Sequence, residues 1–89
     1  MPRSEKPYAM KKKATALGLL RIEAGFKQGA AAEQLGIHAT SLSNIERGAV
    51  PASEELLDRM AELYKRSRLT VERAYRDGRR HQFQVREGL

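Results

Sequence analysis

The stretch Gln28 to Gly48, QGAAAEQLGIHATSLSNIERG, sets two short helical segments on either side of a single glycine. The first spans Gln28 to Leu35, with Ala31, Ala32 and Leu35 spaced to pack on one side. Gly36 ends it, and Ile37 is a lone apolar residue in the turn, suited to plugging a small core. The second segment spans Ala39 to Arg47. Leu42 and Ile45 are its buried i, i+3 pair, and Gly48 ends it. The flanking segments carry helical patterns as well.

Their patterns agree. From Lys11 to Ala24 the residues are good helix formers, and Leu17, Leu20 and Ala24 share a face before Gly25 stops the helix. Ser53 is a natural N-cap with Glu54 and Glu55 behind it. Leu56, Leu57, Met60, Ala61, Leu63 and Tyr64 then make a broad apolar stripe. A fifth helix is expected from about Thr70, with Val71, Ala74 and Tyr75 on its apolar side and Gly78 at its end. In the tail, Phe83 and Val85 alternate with Gln82 and Gln84, a weak strand pattern. The expected fold is all-α, a five-helix bundle with a possible short C-terminal β-strand. Residues 1–10 read as a flexible arm, 11–80 as the folded domain and 81–89 as a tail.

Several classes of function are disfavoured. The 89 residues suit one small domain without a large enclosed active site. There is no cysteine, and His38 and His81 lack metal-ligand spacing. No metal or other cofactor is expected. No apolar run matches a membrane span, and the basic start has no secretory h-region behind it, so a cytoplasmic setting is expected. No Ser/His/Asp or Cys/His set and no phosphate-binding glycine loop suggests an enzyme.

The charge is instructive. The net value is +6. Residues 1–27 carry seven Lys/Arg against two acids, residues 28–64 two against six, and residues 65–89 eight against three. An acidic middle lies between two basic ends. Such ends suit a polyanionic partner, although charged runs are also ordinary solvated faces.

The segment LLRIEAGFKQGAAAEQLGIHATSLSNIERG, with Leu56 to Tyr64 after it, resembles the lambda repressor/Cro-like (XRE-type) helix-turn-helix family. The carrying residues are Gln28, Ala32, Gly36, Ile37, Leu42, Ile45 and the closing Ile45-Glu46-Arg47-Gly48, over roughly 50 residues. Steeply crossing helices need a small residue such as Ala32 at the contact, and the turn needs a residue tolerant of positive φ, such as Gly36. The chain departs from the family at Gly29 and Ala30, which cap the second helix poorly. It departs again in the loop 48–53, which lacks the Lys or Arg that often holds a phosphate.

The resemblance implies double-stranded DNA as the partner and the third helix as the reader. His38, Ala39, Thr40 and Asn44 match base-facing positions. Asn can pair with adenine, and Ala or a Thr methyl can pack on the thymine methyl. Thr40 and His38 could instead cap the helix. Lys27, Gln28, Ser41, Ser43 and Arg47 are the expected phosphate contacts. Lys11, Lys12 and Lys13 can add to them. Arg21 and Glu46 match an ion pair that fixes the third helix on the scaffold.

A homodimer is expected, through Val71, Tyr75, Phe83 and Val85. The function implied is a small repressor or autoregulator on an inverted-repeat operator. The alternative is a protein-interaction module, such as an antitoxin that binds a partner protein and represses its own operon.

Overall fold

The computed structural model describes residues 14–87, with side chains described through Arg80. Five helices follow one another: α1 (Ala16–Glu23), α2 (Gln28–Leu35), α3 (Ala39–Glu46), α4 (Glu54–Tyr64) and α5 (Arg68–Glu87). Their starts are chemically legible. The Thr15 hydroxyl accepts from the Gly18 N–H at 3.0 Å and begins α1. The helix expected from Lys11 therefore starts at Ala16. Ala14 and Thr15 are not helical, and Lys11 to Lys13 lie outside the described residues. Ser53 caps α4 through the Leu56 N–H at 3.1 Å. Ser67 caps α5 through the Thr70 N–H at 3.1 Å. That cap starts α5 at Arg68, two residues ahead of the expected Thr70.

The turn between α2 and α3 follows from backbone hydrogen bonding. Gly36 takes the left-handed conformation (φ 76°). The Ile37 N–H then reaches back to the Ala32 carbonyl at 3.0 Å, satisfying an end-of-helix acceptor. Ile37 packs against the core as expected. α3 ends at Glu46, with Arg47 as its cap. Lys65 closes α4 with φ 58°, the one non-glycine residue with positive φ among the described residues.

The core is shared by all five helices. Leu17, Ala31, Ala32, Leu35, Leu42, Met60 and Val71 are almost wholly buried, with Leu57, Tyr64 and Ile45 beside them. α1 and α5 run in opposite senses. Arg66, just before α5, pairs with Glu23 at the end of α1 (2.6 Å), whereas Gly18 of α1 and Gly78 of α5 both close on Glu46.

Two expectations are corrected. Gly78 does not end the fifth helix, and the Phe83–Val85 alternation is not a strand, because α5 continues through both to Glu87. Three alternating residues offer a strand no neighbour, and a lone strand leaves its backbone polar groups unpaired. A helix already nucleated at Ser67 satisfies them within itself. Gly78 is weak in a helix interior by about 1 kcal/mol against Ala. Its value lies in close approach: it packs backbone to backbone against Gly48, the turn residue after α3.

Gly48 therefore faces two demands, a positive φ of 81° and contact with α5. A Cβ there would lie 2.7 Å from the Gly78 carbonyl carbon. Gly29 faces neither, with open space around it. Gly48→Ala is expected to destabilise by about 2–4 kcal/mol, from backbone strain and overpacking. Gly29→Ala is expected to stabilise by up to about 1 kcal/mol. Urea unfolding of the two variants checks the contrast.

Candidate nucleic-acid interface

α3 is eight residues long, too short to be stable by itself. Its pose is set by what grips its two ends. At the N-terminal end, the Gly36–Ile37 turn fixes its crossing with α2. His38 is the N-cap residue, but its side chain makes no capping bond. Thr40 lies within the helix. Neither side chain is used as the cap that their residue types allow. His38, Ala39 and Thr40 are all exposed, and Ser41, Ser43 and Asn44 are half-buried along the next turn.

At the other end sits a buried ion pair. Arg21 Nε donates to Glu46 Oε2 at 2.7 Å, and a terminal nitrogen reaches Oε1 at 3.3 Å. The other guanidinium nitrogen donates to the Phe26 carbonyl at 3.0 Å. Glu46 is 4% exposed and Arg21 9%. At this depth an unpaired charge is costly, so each residue depends on the other. The expected pair is present, and it ties α1 to the last residue of α3.

Gln28 joins the pair, a link the sequence reading missed. Its Nε2 donates to Glu46 Oε1 at 3.1 Å. The two residues are eighteen apart, and no periodicity connects them. Gln28 also lines an open concavity with Thr15, Ile22, Ser43 and Arg47, floored by Arg21 and Glu46. Three of the five expected phosphate contacts, Gln28, Ser43 and Arg47, are thus brought together. Lys27 stands beside them as the exposed N-cap residue of α2, without a side-chain cap. Ser41 does not line the concavity.

Asn44 and Arg47 are also linked, because the Arg47 guanidinium donates to Asn44 Oδ1. Their i, i+3 spacing could have signalled this. An asparagine that reads adenine accepts from N6 through Oδ1, the atom that Arg47 engages here.

α5 contributes to the same end of α3. Arg79 donates to the Gly48 carbonyl at 3.0 Å. The Ala52 N–H donates to the Tyr75 hydroxyl at 2.9 Å. The tail residues expected to build a dimer are redistributed. Val71 is fully buried within its own domain, so its side chain offers no surface to a second copy. Its place in the apolar stripe of α5 reflected the domain core. Tyr75 is half-buried and bonded to the loop, and the side chains of Phe83 and Val85 lie outside those described.

The acidic middle is largely answered internally. Arg68 pairs with Glu54 (2.6 Å) and with Asp58, and Arg59 pairs with Glu55 (3.6 Å). Such exposed pairs add little stability, but they keep these carboxylates engaged on α4. Among the described residues, no group of three His, Cys, Asp or Glu could hold a metal ion. No described helix is long and apolar enough to cross a membrane.

Tyr64 lies near the ion pair, 2% exposed, and its hydroxyl has no hydrogen-bond partner among the described residues. Burial pushes its pKa up to about 12, the Glu46 charge adds to the rise and Arg21 opposes it. The folded value exceeds the unfolded one, so the native state holds the proton longer. Stability tied to Tyr64 is complete below pH 10 and falls as pH rises towards 12. The loss should reach about 2–3 kcal/mol at most. In urea unfolding, wild type should lose more stability over this interval than Tyr64→Phe. Glu46→Ala strands Arg21 and should cost about 3–5 kcal/mol, with the Arg21→Ala/Glu46→Ala double variant losing less than the two single losses added. Equal melting temperatures for wild type and Glu46→Ala would refute the dependence.

A model of the helix-turn-helix domain family matches residues 14–74. No curated protein and no solved structure matches the chain. The match covers more than half of the sequence and includes α1 to α4 with the start of α5. The Gly36 turn, the buried Ala32 contact and the Arg21–Glu46 pair all fall within it. The chain belongs to the helix-turn-helix family.

Proposed function

We propose that the protein is a sequence-specific regulator of transcription, a small dimeric repressor or autoregulator that reads an inverted-repeat operator through α3. One observation carries this reading. The exposed start of α3, with His38, Ala39 and Thr40, shares the helix with Ser43 and Arg47, which meet Gln28 in one concavity. Base-reading side chains and backbone-gripping side chains are then available together. That combination is what sequence-specific DNA binding requires.

On this reading His38, Ala39, Thr40 and Asn44 address base edges in the major groove. Lys27, Gln28, Ser41, Ser43 and Arg47 address phosphates. Arg47 has two states: bonded to Asn44 in the free protein, and on the DNA backbone in the complex. Its departure releases Asn44 Oδ1 to pair with adenine. One α3 covers few base pairs, so two copies are needed, with half-sites about 34 Å apart. The homodimer uses α5. Leu69 supports this, being 56% exposed on that helix, and Tyr75, Phe83 and Val85 remain the proposed contributors along it. The setting proposed is the cytoplasm, where the operator is reached directly.

A duplex selected by the protein from a randomised library should contain an inverted repeat. On it, Asn44→Ala should lower affinity by about 1–3 kcal/mol and relax preference at one base position. Arg47→Ala should weaken binding to all duplexes and reduce the salt slope by about one unit. The losses of the double variant should be less than additive, because each residue engages the other. Enrichment of no sequence, with a monomer in sedimentation, would overturn the proposal.

A further inference from the structure

The loop after α3 holds no cation of its own, yet three groups on α5 converge on it. Gly78 packs against Gly48, and an added Cβ at Gly78 would sit 3.2 Å from the Glu46 carbonyl oxygen. Arg79 donates to the Gly48 carbonyl at 3.0 Å, and the Tyr75 hydroxyl accepts from the Ala52 N–H at 2.9 Å. At the side chain of Glu46, a Cβ added at Gly18 of α1 would lie 3.2 Å from Oε1. The last residue of α3 is therefore approached by glycines of two other helices, one at its carboxylate and one at its backbone carbonyl. Contacts at that distance are tight, so even one methyl must move a neighbour by a few tenths of an ångström.

We infer that Gly78, Arg79 and Tyr75 are positioning residues for DNA binding: the Gly48–Gly78 seam sets the pose of α3, so that α5 controls what α3 can read without touching the bases. The inference rests on the reading of α3 as the base-contacting helix. Its physical ground is contact. The C-terminal end of the eight-residue α3 is held against α5 by the Gly48–Gly78 approach and by Arg79, so a displacement at the seam passes to α3. Base-edge hydrogen bonds depend on sub-ångström placement, whereas phosphate attraction falls off gently with distance. A shift at the seam therefore lowers specific binding far more than general binding. Arg79 acts through the Gly48 carbonyl, which lies at the negative end of the α3 dipole.

The decisive variant is Gly78→Ala. Alanine favours the helix and the 3.2 Å contact opposes that gain, so the melting temperature should change little while the seam is disturbed. On a duplex selected by wild type from a randomised library, affinity should fall about tenfold, the loss expected when one base contact is misaligned. Affinity for a scrambled duplex should change by less than about twofold, because phosphate attraction survives the shift. Arg79→Gln should reproduce the loss of specificity with an unchanged salt slope, and Arg79→Lys, which keeps a donor for the Gly48 carbonyl, should restore part of it.

Amide spectra of free Gly78→Ala test the seam without any DNA. Shifts should extend along Ala39–Glu46. Shifts confined to residues 46–50 would overturn the inference, as would an unchanged specificity ratio. A salt slope lowered by about one unit in Arg79→Gln would also overturn it, since Arg79 would then be a phosphate contact. Failure of wild type to select any duplex would remove the proposed function, and the spectra would still decide the seam.

Discussion

The Arg21–Glu46 pair is the constraint on which the rest depends. It joins α1 to the last residue of α3, with both side chains buried, so that neither charge is tolerable alone. Its buried carboxylate also takes the Gln28 amide, so the first turn of α2 is drawn to the same point. Three helices thereby share one polar anchor. A directional, bidentate bond restricts the rotation of α3 about its axis, which apolar packing by Leu42 and Ile45 limits less sharply.

The glycines complete that constraint by permitting distance. Gly36 supplies the left-handed turn that sets the crossing of α2 and α3. Gly18 lets α1 come close to the Glu46 carboxylate, and Gly78 lets α5 come close to its backbone carbonyl. Gly48 must be left-handed and unobstructed at once, which only glycine satisfies. Four small residues and one ion pair thus hold a helix with little intrinsic stability. The exposed residues at its start, His38 to Thr40, are free of packing duties. They are available to a ligand because the opposite face and the far end carry the structural work.

The linked side chains connect this scaffold to binding. Gln28 belongs both to the buried pair and to the rim of the concavity, so contact with a phosphate would be sensed at Glu46. Arg47 donates to Asn44 Oδ1, so under the proposed reading base and backbone contacts would be coupled, and a change at either residue should be felt by the other.

The helix count, the Gly36 turn, the core stripes and the Arg21–Glu46 pairing were legible in the residues alone. Each depends on neighbours within a turn or two, or on a family resemblance carried by a fixed spacing. The sequence was also sufficient to nominate Gln28, Ser43 and Arg47 for one task. Tertiary structure decided the rest. Gly78 looked like a helix stop because a glycine's role depends on what approaches it, and here that is Gly48, thirty residues away. The Phe83–Val85 alternation looked like a strand because period-two patterning is silent about whether a neighbour exists to pair with. Val71 looked available to a second copy because an apolar stripe does not state whether its partner is the chain itself. Long-range closure, with no periodic trace in the sequence, is what assigns these residues their roles.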